Sequence, residues 1–357
     1  WLPPGRGLWA MGTEMVNGQF NSAALQNCFA GDEQFITSEG VKDFASMVGQ
    51  EVTVWSEGWQ RATIETFGTQ AVQRISFKPF NTRSNRVEEI VATPHHRWIL
   101  DDGTQTTELK VGDVVCSNPT HEPTDASYYE GVIHGLIFGD GVKITHRYAN
   151  GDYGFELRAC DERTQSLLYS NAAVSAGFDQ ISTDRPSANG DPICSKRSAV
   201  DMKQPPSAGS PEYFRGFLGG WCTADASFVG STAKLSSQHR DAREWLHKWA
   251  AYAGYTLVGE NADSVMVTNF GERKSPCWRY SLTRESVKWK VSSITPMADA
   301  QPVFCAVVPA TGNFTLASGI KTGNCAFIST EKLSAHSASE ATLPFVRLME
   351  MSMLGIG

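Results

Sequence analysis

The chain has 357 residues, room for two to three domains at about 150 residues each and for a sizeable buried core. Hydrophobic residues make up 41% and charged residues 19%, a globular balance that excludes a disordered chain. The net charge of -7 gives no global case for a polyanionic partner, and no apolar run approaches the ~18 residues of a membrane span. The opening Trp1-Leu2-Pro3-Pro4-Gly5-Arg6 lacks the basic-then-apolar order of a signal peptide and reads as the interior of a longer protein. Eight cysteines without a C-x-x-C pair argue against a zinc ribbon or a disulfide scaffold. A reduced, cytoplasmic chain with no membrane contact is the expectation.

From Cys28 to about Asn118 the sequence predicts short strands. Period-2 alternation and β-branched residues mark 51–55, 62–66, 74–77 and 88–92. Asp101-Asp102-Gly103 is a hairpin turn, Leu109 to Asp113 opens another strand, and His121 to Ala126 reads as a linker. From about 127 to 299 the pattern changes. Helices are predicted near 128–139, 161–176, 211–224 and 239–253. One hairpin runs from Val142 to Arg147, turns at Asn150-Gly151-Asp152 and returns from Tyr153 to Cys160. A second turns at Gly230-Ser231. Helix, hairpin, helix thus occurs twice, a weak internal repeat starting near Tyr128 and Pro211. This region balances its charges, so the acidic excess lies outside it. After Gln301 the strand pattern returns with Val303 to Val308 and Phe314 to Ala317. The chain reads as an α+β segment inserted into a β domain.

Three short stretches gain meaning together: Cys28-Phe29-Ala30-Gly31-Asp32, Ala92-Thr93-Pro94-His95-His96-Arg97-Trp98, and Thr322-Gly323-Asn324-Cys325. With the closing strand pair at 303–319 they resemble an intein, a self-splicing element with an all-β, horseshoe-like Hint domain. The resemblance implies that 28–324 is excised from host segments 1–27 and 325–357. The splicing domain is then 28–126 and 300–324, and the insertion is 127–299. The chemistry suits the residue types. The Cys28 thiol can attack the preceding carbonyl, and Thr93 and His96 assist, His96 having the pKa range of an acid/base group. Cys325 then takes the acyl group, and Asn324 cyclises to release the element. Splicing needs no cofactor.

Two departures stand out. Gly323 and Asn313 occupy positions where many such elements carry His. Trp98, Cys305 and Thr322 also fit the Trp-Cys-Thr pattern of a phage-associated subgroup, in which the inner cysteine makes the first attack. Cys28 and Cys305 therefore present two competing routes. Joining Asn27 to Cys325 gives a sequence that, with Gly5-Arg6-Gly7-Leu8-Trp9, resembles class II ribonucleotide reductase. The resemblance implies that Cys325 belongs to its redox pair and that adenosylcobalamin serves the full host enzyme only.

Ile133-His134-Gly135-Leu136-Ile137-Phe138-Gly139-Asp140-Gly141 and Leu218-Gly219-Gly220-Trp221-Cys222-Thr223-Ala224-Asp225-Ala226 resemble the paired motifs of a LAGLIDADG homing endonuclease. The likeness implies close helix packing and an Asp140–Asp225 pair holding Mg²⁺. It also implies double-stranded DNA as partner and action as a monomer. Lys143, Thr145 and Arg147 share one strand face and are candidate DNA contacts. The second motif ends in Ala226 rather than Gly. Three readings stay distinct: splicing with an active endonuclease, splicing with an inactive one, and a host-enzyme fragment carrying a passenger.

Overall fold

The computed structural model describes residues 28–324 apart from 81–83, 85, 122–123, 145–147, 183–189, 240, 264–265, 269–270 and 274–276. It also describes the backbone of two short strands, Glu14–Val16 and Gln19–Asn21. The host segments and Cys325 otherwise lie outside the described residues, as do Thr145 and Arg147.

Residues on both sides of the insertion build one β body of two sheets. The larger has ten strands in the order Val114–Cys116, Lys288–Pro296, Gln73–Pro79, Glu88–Ala92, Phe29–Ala30, Gln301–Val307, Trp59–Gln70, Glu51–Trp55, Gln34–Thr37, Gly40–Asp43. The smaller sheet orders Gln105–Thr106, Trp98–Ile99, Lys321–Gly323 and Asn313–Thr315. Alternation drives this assembly. In Gln73–Pro79 every second residue is buried, and Ile75 and Phe77 are fully enclosed. Phe29, Phe35, Phe44 and Phe314 stack and edge together at the centre of the core.

The insertion contains helices α1 (Ala126–Asp140), α2 (Glu162–Ser170), α3 (Ala172–Ala176), α4 (Pro211–Asp225) and α5 (Ala242–Trp249). Helix α1 leads into a four-stranded antiparallel sheet holding Val142–Lys143, Tyr153–Arg158, Ile193–Ser198 and Gln180–Ser182. Helix α4 leads into another, holding Ala226–Val229, Thr232–Ser237, Cys277–Thr283 and Thr256–Asp263. None of its helices among the described residues is long and apolar enough to cross a membrane.

Three sequence expectations change. The helix predicted over 161–176 is two helices, because the Asn171 side chain accepts from the amides of Ala173 and Val174 and starts α3 afresh. The strand expected to open at Leu109 begins at Val114, since residues 111–112 turn and Gly112 has φ +106°. The boundary at 299 also moves. Strand Lys288–Pro296 pairs with Gln73–Pro79 and Val114–Cys116 and buries Trp289 and Val291 in the first core. The chain therefore rejoins the β body at Lys288, not at residue 300.

Candidate functional site

Strand Glu88–Ala92 delivers Thr93 beside Cys28. Phe29 pairs with Ala92. One residue further, the Thr93 amide donates to the Cys28 carbonyl at 2.9 Å, and the Cys28 amide donates to Thr93 Oγ1 at 3.0 Å. On the other side Phe304 pairs with Phe29, and continuing that register places Cys305 across from Cys28. The Cys28 backbone groups point toward Thr93. In that register the two side chains lie on one face of the sheet. Both cysteines are fully buried and in no disulfide.

Pro94 cannot donate to a ladder, and the chain turns there, the His96 amide donating to the Thr93 carbonyl at 3.1 Å. The His96 ring is fully buried, 4.2 Å from Phe29 and 5.0 Å from Trp98 between ring centres. Its Nε2 lies 2.7 Å from Thr322 Oγ1. Thr322 Oγ1 also lies 3.4 Å from the Arg97 carbonyl oxygen, so the hydroxyl bridges the His96 ring and the main chain. Trp98 pairs directly with Thr322, which brings the last strand to this segment.

Arg97 was not singled out from the sequence, yet it holds the far end. Its Nη2 donates to Asn324 Oδ1 and to the Gly312 carbonyl, both at 2.6 Å. Asn324 is buried, donates from Nδ2 to the Val308 carbonyl at 3.1 Å, and donates from its amide to the Gly312 carbonyl at 2.9 Å. The glycine at 323 follows from the same contact. A Cβ there would sit 2.5 Å from Arg97 Nε and 2.8 Å from the Arg97 carbonyl oxygen. A histidine before Asn324 has no room beside Arg97. Asn313 turns away as well, accepting from Ser56 Oγ and donating to the Thr311 carbonyl at 3.0 Å.

A second site forms where α1 and α4 pack face to face. At Gly131, Gly135, Gly216 and Gly220 an added Cβ would come within 1.9–2.1 Å of a carbonyl oxygen on the opposite helix. Only glycine permits this backbone approach. Asp140 and Asp225 end the two helices together. Loss of hydration, then the charge of Asp225, pushes the Asp140 carboxyl up to about 6. Burial also raises Asp225, opposed by the Trp221 indole N–H, which donates to its Oδ2 at 3.0 Å. Lys203, also missed in the sequence, donates to the carbonyls of Ile137, Phe138 and Gly141 at 3.0, 2.6 and 2.9 Å. It caps the negative end of α1 beside the carboxylates.

The mutual repulsion of Asp140 and Asp225 suits a divalent cation. Among the described residues no group of three or more His, Cys, Asp or Glu could hold a metal ion. The chain would therefore offer these two carboxylates, and water or phosphate oxygens would complete the shell. Lys143 is exposed, ion-paired to Asp201 at 2.5 Å and 4.0 Å from the Tyr153 ring centre.

No protein-family model and no curated protein matches the chain. Several solved structures do. A G-1F mutant of the Ssp DnaB mini-intein variant M86 is 10% identical, with 83% of this chain and 98% of that chain covered at a TM-score of 0.30. The homing endonuclease I-DmoI in complex with DNA and Mn is 11% identical, with 44% and 91% covered at a TM-score of 0.29. Mesophilic variants of I-DmoI are 12% identical, with 44% and 85% covered at a TM-score of 0.31.

Proposed function

We propose that the chain excises residues 28–324 by autocatalytic protein splicing, joins Asn27 to Cys325, and carries an endonuclease in its insertion. One observation carries the reading. The short segment 93–98 hydrogen-bonds both ends of 28–324: Thr93 to Cys28, His96 to Thr322, and Arg97 to Asn324. A fold that buries two sequence-distant ends on one segment suits chemistry that breaks the bonds at both.

In the first step a thiolate attacks the Asn27 carbonyl carbon. A C–S bond forms, the C–N bond to Cys28 breaks, and the thiol proton passes to the departing amine. His96, its ring held by Thr322, serves as the proton carrier. Thr93 orients the Cys28 amide. The register that sets Cys305 across from Cys28 leaves both as candidates to supply the sulfur. The Cys325 thiol then displaces the first thiol from the acyl group. In the release step Asn324 Nδ2 attacks its own main-chain carbonyl and expels the Cys325 amine. Arg97 on Oδ1 stabilises the negative charge that grows there as Nδ2 loses its proton. The freed amine of Cys325 takes the acyl group from its own sulfur, which leaves an ordinary peptide bond. The host is read as class II ribonucleotide reductase, whose adenosylcobalamin the complete enzyme would bind elsewhere.

For the insertion, Asp140 and Asp225 would hold Mg²⁺, which when bound polarises a phosphodiester and activates water. The chain's own residues bring the carboxylates together through glycine packing and hold the end of α1 with Lys203. Lys143, with Thr145 and Arg147 on the same segment, would meet double-stranded DNA.

Mass spectrometry of the expressed chain under reducing conditions tests splicing. Ligated host segments and a free 28–324 product ending in a succinimide are expected, and Asn324→Ala should block both, because the Cys325 amine is then never freed. A chain that stays intact overturns the reading. Cys28→Ala and Cys305→Ala precursors, cleaved with a small thiol, assign the first nucleophile. Mg²⁺-dependent cutting of DNA spanning the joined-gene junction, lost in Asp140→Asn and Asp225→Asn, separates an active nuclease from an inactive one.

A further inference from the structure

The insertion shares its core with the splicing body. Ile36, Val41, Trp55 and Ala317 belong to the same hydrophobic cluster as Trp249 and Tyr252 of the insertion. A Cβ on Gly40 would meet the Trp249 ring at 3.2 Å, and one on Gly319 would meet Ala251 Cβ at 3.2 Å. Thr120 fastens the seam, donating from its amide to the Ala251 carbonyl at 3.0 Å and from its hydroxyl to the Tyr252 carbonyl at 2.5 Å.

From this seam polar contacts run unbroken to Asn324. The Asn118 amide donates to the Gly319 carbonyl at 2.7 Å, and its Nδ2 donates to Thr315 Oγ1 at 3.2 Å and to the Ser56 carbonyl. Ser56 follows Trp55 directly and is fully buried. Its hydroxyl donates to Asn313 Oδ1 and lies 3.1 Å from Thr311 Oγ1. Thr311 and Asn313 flank Gly312, whose carbonyl accepts from both the Asn324 amide and Arg97. The side chains that Ser56 grips therefore belong to the turn that seats Asn324. The Thr93–Cys28 contacts lie outside this path.

We propose that Ser56 is a positioning residue for release at Asn324, and that the insertion holds it in place through Trp55 and Asn118. The inference rests on the splicing reading above. It makes the inserted segment a brace for one end of the site and not for the other. Losing the grip on the turn displaces the Asn324 amide from its own carbonyl carbon, and a displacement of about 1 Å costs up to a hundredfold in rate.

The test follows both cleavages in one full-length chain, with added dithiothreitol reading attack at Cys28 and succinimide formation reading release. Ser56→Ala should slow release at Asn324 about tenfold and leave thiol cleavage upstream of Cys28 within about twofold. Trp249→Leu, far from either bond, should shift the same balance in the same direction. Equal slowing at both ends, or unchanged release in Ser56→Ala, overturns the inference while leaving splicing intact. If the unaltered chain cleaves at neither end, the splicing reading falls and takes the inference with it.

Discussion

Arg97 and Gly323 explain each other. The guanidinium occupies the volume that a side chain at position 323 would need, and it engages the Asn324 side-chain oxygen that a preceding histidine could have served. Arg97→Ala should reduce succinimide formation about a hundredfold, the scale of losing one charge-stabilising donor. Arg97→Lys should recover part of it, a point charge without the planar fork. Gly323→His should slow release rather than restore it, because the new side chain displaces Arg97. Glu33 is a carboxyl set against the β body's core strands. Burial pushes its carboxyl up to about 8, although Val91 donates its amide to Oε1 at 2.7 Å. The folded pKa exceeds the unfolded value of 4.5, so the contribution of Glu33 to stability is full below pH 4.5 and is lost as pH rises through about 8. Chemical denaturation between pH 5 and 8 should show stability falling, and Glu33→Gln should flatten that slope.

At the scale of elements, α1 and α4 meet backbone to backbone, so the pair tolerates almost no added volume. Gly135→Val should force the helices apart and cost the insertion about 3 kcal/mol or more in thermal or denaturant unfolding. Splitting the helices also parts Asp140 from Asp225. The Asp140 carboxyl, raised to about 6 from 3.8, favours folding most below pH 3.8 and loses that contribution as pH climbs through about 6. A cation binds the ionised form and should grip more tightly over the same window. A carbon-detected titration of Asp140 should therefore have its midpoint near pH 6, and Asp225→Asn should lower it. The helices were legible in the sequence because small residues recur at packing positions and an Asp closes each motif. Lys203 was not. It sits in an irregular turn, and its meaning comes from carbonyls on a helix more than sixty residues earlier. The alternation of Lys288–Pro296 says only that one face is buried, not against which sheet, so the sequence alone leaves this strand with the insertion.

At the scale of the whole molecule, the two ends of 28–324 were legible as motifs, whereas their meeting was not. That meeting depends on registers such as Trp98 with Thr322 and Phe304 with Phe29, long-range pairings that no local pattern encodes. The shared core was equally hidden. A strand-forming Trp55 and a hairpin holding Ile36 and Val41 look like the interior of a β domain, and only the folded chain puts Trp249 and Tyr252 against them. The insertion is thus part of the structural core. Replacing residues 126–286 by a short flexible linker would uncover Ile36, Val41, Trp55 and Ala317. At about 2 kcal/mol for each large side chain returned to water, the exposed seam would cost a substantial share of the stability of a small domain. The shortened chain should unfold at lower denaturant and aggregate, and Ile36→Thr with Val41→Thr should restore solubility, those positions being exposed once the partner is gone. A shortened chain as stable as the parent β body, without such substitutions, would mean that the seam contributes little to folding.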